Sequence, residues 1–88
     1  MRGIVRTEQF ERELLLVEPD VSRSDEFLDG VEWLLSRDPT VGTRLNDAVW
    51  SIDTSEFALI TPMTLYYTFD DERVFFLALR RQTTLPED

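Results

Sequence analysis

Residues 63–81 read MTLYYTFDDERVFFLALRR, two apolar runs joined by a short charged link. This stretch constrains the fold most, because both runs are strand-rich in composition and too close together for anything but a hairpin. With Asp71 and Glu72 as the loop, Phe69 faces Val74, Tyr67 faces Phe76, Leu65 faces Ala78 and Met63 faces Arg80. One face then carries Met63, Leu65, Tyr67, Phe69, Val74, Phe76 and Ala78 and belongs against a core. The other carries Thr64, Tyr66, Thr68, Phe75, Leu77, Leu79 and Arg81. Leaving its large hydrophobes in water forgoes roughly 1.5–3 kcal/mol each, so this second face calls for a cover. The candidates are the chain's own residues 54–62, its C-terminal tail, a partner polypeptide or a second copy of the chain. DDER contains no Asn-Gly or Asp-Gly, so the register is open to slippage.

The rest of the chain supplies the other layer. GIVR (Gly3–Arg6) is a short apolar strand, and Thr7 caps a helix with Glu8 and Glu11 in its first turn and Phe10, Leu14 and Val17 along one face. Pro19 ends it. A second helix starts at VSRSDEF with Ser22 or Ser24 as cap and Asp25 and Glu26 at the positive end. It buries Phe27, Leu28, Val31, Leu34 and Leu35 and stops near Arg37, before Pro39. Residues 38–47 read as a loop, residues 48–53 as a strand with Trp50 and Ile52 inward and Ser51 and Asp53 outward, and residues 56–61 as a further strand. The expected architecture is α+β: an N-terminal strand, a two-helix hairpin, then a three- to four-stranded, mostly antiparallel sheet, all in one domain spanning 1–88.

Composition narrows the chemistry. There is no cysteine and no histidine, which removes thiolate sites, disulfides, the commonest general base and the commonest metal ligand. All nine basic residues are arginine, against 18 acidic ones, for a net charge of −9. Such a chain is repelled by phosphate backbones, so general nucleic-acid binding is not expected. The acid groups Asp25/Glu26/Asp29 and Asp70/Asp71/Glu72 lack a calcium-loop pattern and read as helix-dipole complement and hairpin solvation. Neither metal nor cofactor is expected. No apolar run is long enough to span a bilayer and the N-terminus has no signal-type core, so the expected location is the cytoplasm.

An opening strand followed by RTEQFERELL, a second helix ending in LLSRDPTVGTRL, the strand VWSI and then LYYTFDDERVFFLAL together resemble the RelE/ParE superfamily of bacterial toxins from toxin–antitoxin pairs. The likeness runs over roughly residues 3–82, with Pro39/Gly42/Leu45 and the hairpin from Tyr67 to Leu79 as its most specific parts. It implies a compact toxin held inactive by an antitoxin draped over it. RelE-type members cut messenger RNA on the ribosome with basic residues on the open sheet face, and ParE-type members act on DNA gyrase. The basic set is missing here. Ser51 and Asp53 stand where alternating lysines are expected, Thr64 where an arginine is, and Thr83 and Thr84 where the basic residues beyond the last strand are.

Only Arg81, with Tyr66 and Arg44, remains as a catalytic candidate set, and Asp53 repels a phosphate in that position. The expectation is therefore a toxin-like protein that acts by binding protein rather than as an enzyme. Its partner surface is Thr64, Tyr66, Phe75, Leu77, Leu79 and Arg81, and its partner an antitoxin polypeptide, with a homodimer as the other possibility. An atypical ribonuclease and a non-toxic interaction domain that kept the fold are the alternative readings.

Overall fold

The computed structural model describes residues 1–53 and 63–81 of the chain. Strand β1 (Gly3–Arg6) leads into helix α1 (Glu8–Val17) and helix α2 (Val21–Arg37). A 3-10 turn at Pro39–Val41 follows, then strands β2 (Thr43–Arg44), β3 (Trp50–Asp53), β4 (Met63–Phe69) and β5 (Arg73–Arg81). The five strands form one sheet in the order β1-β5-β4-β3-β2. Every pairing is antiparallel except β1 beside β5, which is parallel. The α+β architecture expected from the sequence is the one found. The expected strand at 56–61 and the cover by residues 54–62 or the tail lie outside the described residues.

Both helix starts follow from capping chemistry. Thr7 is extended and its hydroxyl accepts from the Phe10 N–H at 3.3 Å, with Glu8 and Glu11 in the first turn. The second helix begins earlier than the serines suggest. Asp20 is its cap, its carboxylate accepting from the N–H groups of Ser22 at 3.0 Å and Arg23 at 3.4 Å. Asp caps as well as Ser does, and it sits directly after the proline that ends α1, so it takes the position first. Ser24 falls inside the helix, donating back to the Val21 carbonyl. Asp25 and Glu26 consequently lie beyond the first turn, and the helix dipole does not account for them.

The hairpin loop is the expected one, Asp71-Glu72, but what holds it is Asp70. Its backbone N–H donates to the Arg73 carbonyl at 2.9 Å, and its carboxylate accepts from the N–H groups of Glu72 and Arg73, both at 2.8 Å. Those two backbone bonds, first that from Glu72, hold the Asp70 carboxyl below its ordinary range. The side chain thus does the work that an Asn-Gly pair does in other hairpins.

Beyond the loop the register departs from a straight ladder. Tyr67 faces Phe76, but Tyr66 faces Ala78 and Leu65 faces Leu79, so Leu77 is an extra residue in a β-bulge. The bulge exchanges the outer positions of β5 between faces. Leu79 joins the core at 1% exposure instead of the open face, while Ala78 moves to the open face beside Leu77. Met63 faces Arg81 and Thr64 faces Arg80, where a straight register would put Arg80 and Leu79.

The bulge has an identifiable anchor. Strand β1 ends at Arg6, leaving the outer edge of β5 open from there on, and α1 closes it. The Thr7 hydroxyl donates to the Phe76 carbonyl at 2.7 Å and lies 3.3 Å from the Leu77 carbonyl, and the Thr7 N–H also reaches the Phe76 carbonyl at 3.2 Å. Two turns on, the Glu13 carboxylate accepts from the Leu79 N–H at 3.0 Å and pairs with Arg80 at 3.3 Å. A helix cap and a glutamate therefore satisfy a strand edge that would otherwise offer free backbone groups. Thr7→Val keeps the shape and removes the hydroxyl, losing cap and bulge bond together. The expected cost is about 1–2 kcal/mol, read as a lowered urea midpoint; an unchanged midpoint would contradict this role.

The core lies between the sheet and the helices. Phe10 and Leu14 from α1 and Phe27, Leu28, Val31 and Leu35 from α2 meet Met63, Leu65, Tyr67, Val74, Phe76 and Leu79, with Trp50 and Ile52 packed at its margin. Phe10 and Phe76 meet edge to face with ring centroids 5.1 Å apart. Arg6 ties β1 to α2 through Glu32 at 2.6 Å, and that hydrogen bond holds the guanidinium firmly in its charged form.

Candidate functional site

With Trp50, Leu65, Tyr67, Phe76 and Leu79 committed to the core, the opposite side of the sheet is set strand by strand by the register. Strand β3 contributes Ser51 and Asp53, β4 contributes Thr64, Tyr66 and Thr68, and β5 contributes Arg73, Phe75, Leu77, Ala78 and Arg80. Strand β1 adds Val5, opposite Phe75 and 36% exposed. The face is divided lengthwise. Val5, Phe75, Leu77 and Ala78 make an apolar strip along β1 and β5, and Ser51, Thr64, Tyr66 and Thr68 make a hydroxyl-bearing strip along β3 and β4. The side chains of the central strands are half-buried.

Of the six residues expected to bind a partner, Thr64, Tyr66, Phe75 and Leu77 are on this face. Leu79 and Arg81 are not: the bulge turns Leu79 into the core and places Arg81 opposite Met63, on the helix side at the exposed end of β5. On β1 and β5 the additions are Val5, Ala78, Arg73 and Arg80. Val5 is on the face because β1 lies parallel beside β5, a long-range pairing that no local signal in GIVR announces, whereas Arg73 is there by simple alternation with Phe75 along β5. Ala78 and Arg80 are there because of the bulge.

The three catalytic candidates are not brought together. Arg44 lies on β2 opposite Trp50, donating to Asp47 and to the Asn46 carbonyl, both at 3.1 Å. Arg81 is three strand positions away in the sheet, about 14 Å across at the usual spacing, and is displaced along it as well. Both are on the helix side of the sheet by register, whereas Tyr66 is on the open side.

The open face does carry two arginines, Arg73 and Arg80, but they stand at opposite ends of β5. Seven residues apart, they are separated by about 23 Å at a strand rise of about 3.3 Å. Arg80 is moreover drawn to Glu13, and the acid nearest the face's centre, Asp53, accepts from the Thr64 hydroxyl at 3.4 Å. A scissile phosphate needs several donors converging within hydrogen-bond distance of one point, and among the described residues this face offers hydroxyls, apolar surface and the Asp53 carboxylate instead. Among the described residues no cluster of three or more acidic groups could hold a metal ion.

The 3-10 turn and β2, within the stretch read as a loop, shape the neighbouring edge. The buried phenol of Tyr67 donates to the Pro39 carbonyl at 2.6 Å, and burial pushes its pKa up to about 12. It stays protonated and structural. A cleft of about 260 Å³ opens beside it between Leu34, Val41, Thr43, Ile52 and Asp53. Among the described residues no helix is long and apolar enough to cross a membrane. No protein-family model matches the chain, and a search among curated proteins finds no match.

Proposed function

We propose that the chain is a RelE/ParE-like toxin component of a toxin–antitoxin module, or a descendant of one, that works by binding protein and not by cleaving RNA. The observation that carries this reading is the sheet face opposite the helices, which no described element covers. Its apolar strip lies beside a hydroxyl strip, and its two cations are spread to opposite ends. A partner polypeptide laid over it would desolvate Phe75 and Leu77 and meet the hydroxyls of Thr64, Tyr66 and Thr68, the mixture of apolar anchor and polar satisfaction found in protein interfaces. The order strand, helix pair, antiparallel sheet supports the same family reading. Location in the cytoplasm, where such modules act, belongs to the proposal.

The test is induction of the chain in a bacterial host, alone and with the polypeptide encoded by the neighbouring reading frame. Growth arrest relieved by that polypeptide, with relief lost for Phe75→Ser/Leu77→Ser, is the expected result. Relief that persists undiminished in the double variant would move the partner off this face. Absence of arrest would favour the non-toxic interaction domain.

A further inference from the structure

The helical layer holds a second surface that the sheet-face reading does not use. Between α1 and α2 lies a groove of about 340 Å³. Its floor is apolar: Leu14 and Leu28 at the bottom, nearly buried, and Leu15 and Val21 at the lips, each 64% exposed. Its walls are acidic, with Glu11 and Glu18 from the α1 side and Asp25 from the α2 side. Arg6 also lines the groove, hydrogen-bonded to Glu32 and within the field of Glu11 and Asp25, so the lining remains net acidic with three carboxylates to one guanidinium. Asp25 is also one of the acids left without a dipole to complement once Asp20 is recognised as the cap of α2.

We infer that this groove docks a cationic amphipathic helix from another polypeptide, its apolar side chains seated on Leu14, Leu15, Val21 and Leu28 and its Lys or Arg residues paired with Glu11, Glu18 and Asp25. A groove of this volume takes a small cluster of apolar side chains and not a whole domain. The charge of the walls selects the occupant. A second copy of the chain is a poor fit, because each carries a net charge of −9 and both of its helices are themselves acid-rich. An acidic peptide is repelled in the same way, and an uncharged apolar peptide would leave the three carboxylates desolvated at the rim. The inference concerns the helical side of the molecule and stands whether or not the open sheet face binds a partner.

The probe is a synthetic peptide of about 15 residues, the shortest length at which an isolated helix is appreciably populated, with leucines at i, i+3/i+4 and i+7 and lysines elsewhere. Its counterpart has every lysine replaced by glutamate. Titration into the full chain at physiological salt should give saturable binding of the lysine peptide and none of the glutamate peptide. Leu15→Gln/Val21→Gln alters two exposed side chains, leaves the net charge unchanged, and should weaken binding by about tenfold or more, with circular dichroism confirming an unaltered fold. Equal affinity of wild type and double variant would reduce the effect to bulk charge attraction and overturn the proposal. So would failure of the lysine peptide to bind, comparable binding of both peptides, or a self-association of the chain abolished by the same double variant.

Discussion

Phe76→Ala and Leu79→Ala should each destabilise the protein severely, whereas Phe75→Ala and Leu77→Ala, changes of the same chemistry on the same strand, should cost no more than about 1 kcal/mol. Phe76 is fully buried against Phe10, and Leu79 is 1% exposed at the core end of β5. Truncating a buried Phe costs about 3–5 kcal/mol and a buried Leu about 2–5, from lost transfer energy and the cavity left behind. A domain of this size has a total stability of the order of 5–10 kcal/mol, so either change removes a large share of it. Lowering of the melting temperature by roughly 10–30 °C is the expected reading for the pair.

Leu79 is the more informative of the two. In a straight ladder Ala78 would be inside and Leu79 outside, and Leu79→Ala would be nearly silent. A large loss at 79 with a small one at 77 is thus the thermodynamic signature of the bulge.

Gly42→Ala should rank next after Phe76→Ala and Leu79→Ala, although the glycine's backbone conformation is one that any residue adopts. The reason is space. A Cβ at position 42 would run into the Ser51 carbonyl oxygen and the Tyr67 phenolic oxygen. Neither can retreat cheaply, since Ser51 is held in the β2–β3 ladder opposite Thr43 and the phenol is fixed on the Pro39 carbonyl. Overpacking of this kind costs about 1–3 kcal/mol, and displacement of the phenol adds the loss of a buried hydrogen bond. Tyr67→Phe alone should cost about 1–3 kcal/mol by leaving the Pro39 carbonyl without its donor. The double variant should lose less than the sum of the two, because removing the phenolic oxygen vacates part of the space the new methyl needs.

The same phenol gives an alkaline signature. Its pKa is raised in the folded state to about 12, so its contribution is fully present below the unfolded tyrosine value of about 10 and is lost as pH climbs from there through about 12. The stability decline across that window should be shallower in Tyr67→Phe. Strict additivity of the two substitutions, or an identical alkaline slope in both proteins, would separate Gly42 from Tyr67 and contradict the packing described.

What could be read from the sequence follows the range over which each device acts. The cap at Thr7, the period of Phe10 and Leu14, the inward Trp50 and Ile52 and the Asp71-Glu72 loop are set by residues a few positions apart, and each is found as expected. The bulge at Leu77 depends on the hydroxyl of Thr7, some 70 residues away, and on the Glu13 carboxylate that secures Leu79. Nothing within FFLAL distinguishes it. One missed residue reassigned Leu79 and Arg81 and brought in Ala78 and Arg80, so most of the error in the expected partner surface has a single cause. The parallel placement of β1, which adds Val5, is likewise long-range. The early start of α2 was legible in principle, since Asp20 follows Pro19 immediately. The groove between the helices was not legible, because its acid Asp25 reads as helix-dipole complement until Asp20 is known to be the cap.

The central claim is that the open face binds polypeptide and does not cut RNA, and mapping of message integrity by primer extension tests it most directly. Purified chain added to a ribosome-driven translation reaction should leave full-length extension products with no new stops. Codon-phased stops that depend on ribosomes and disappear in Tyr66→Phe would make the face a nuclease site and contradict the account.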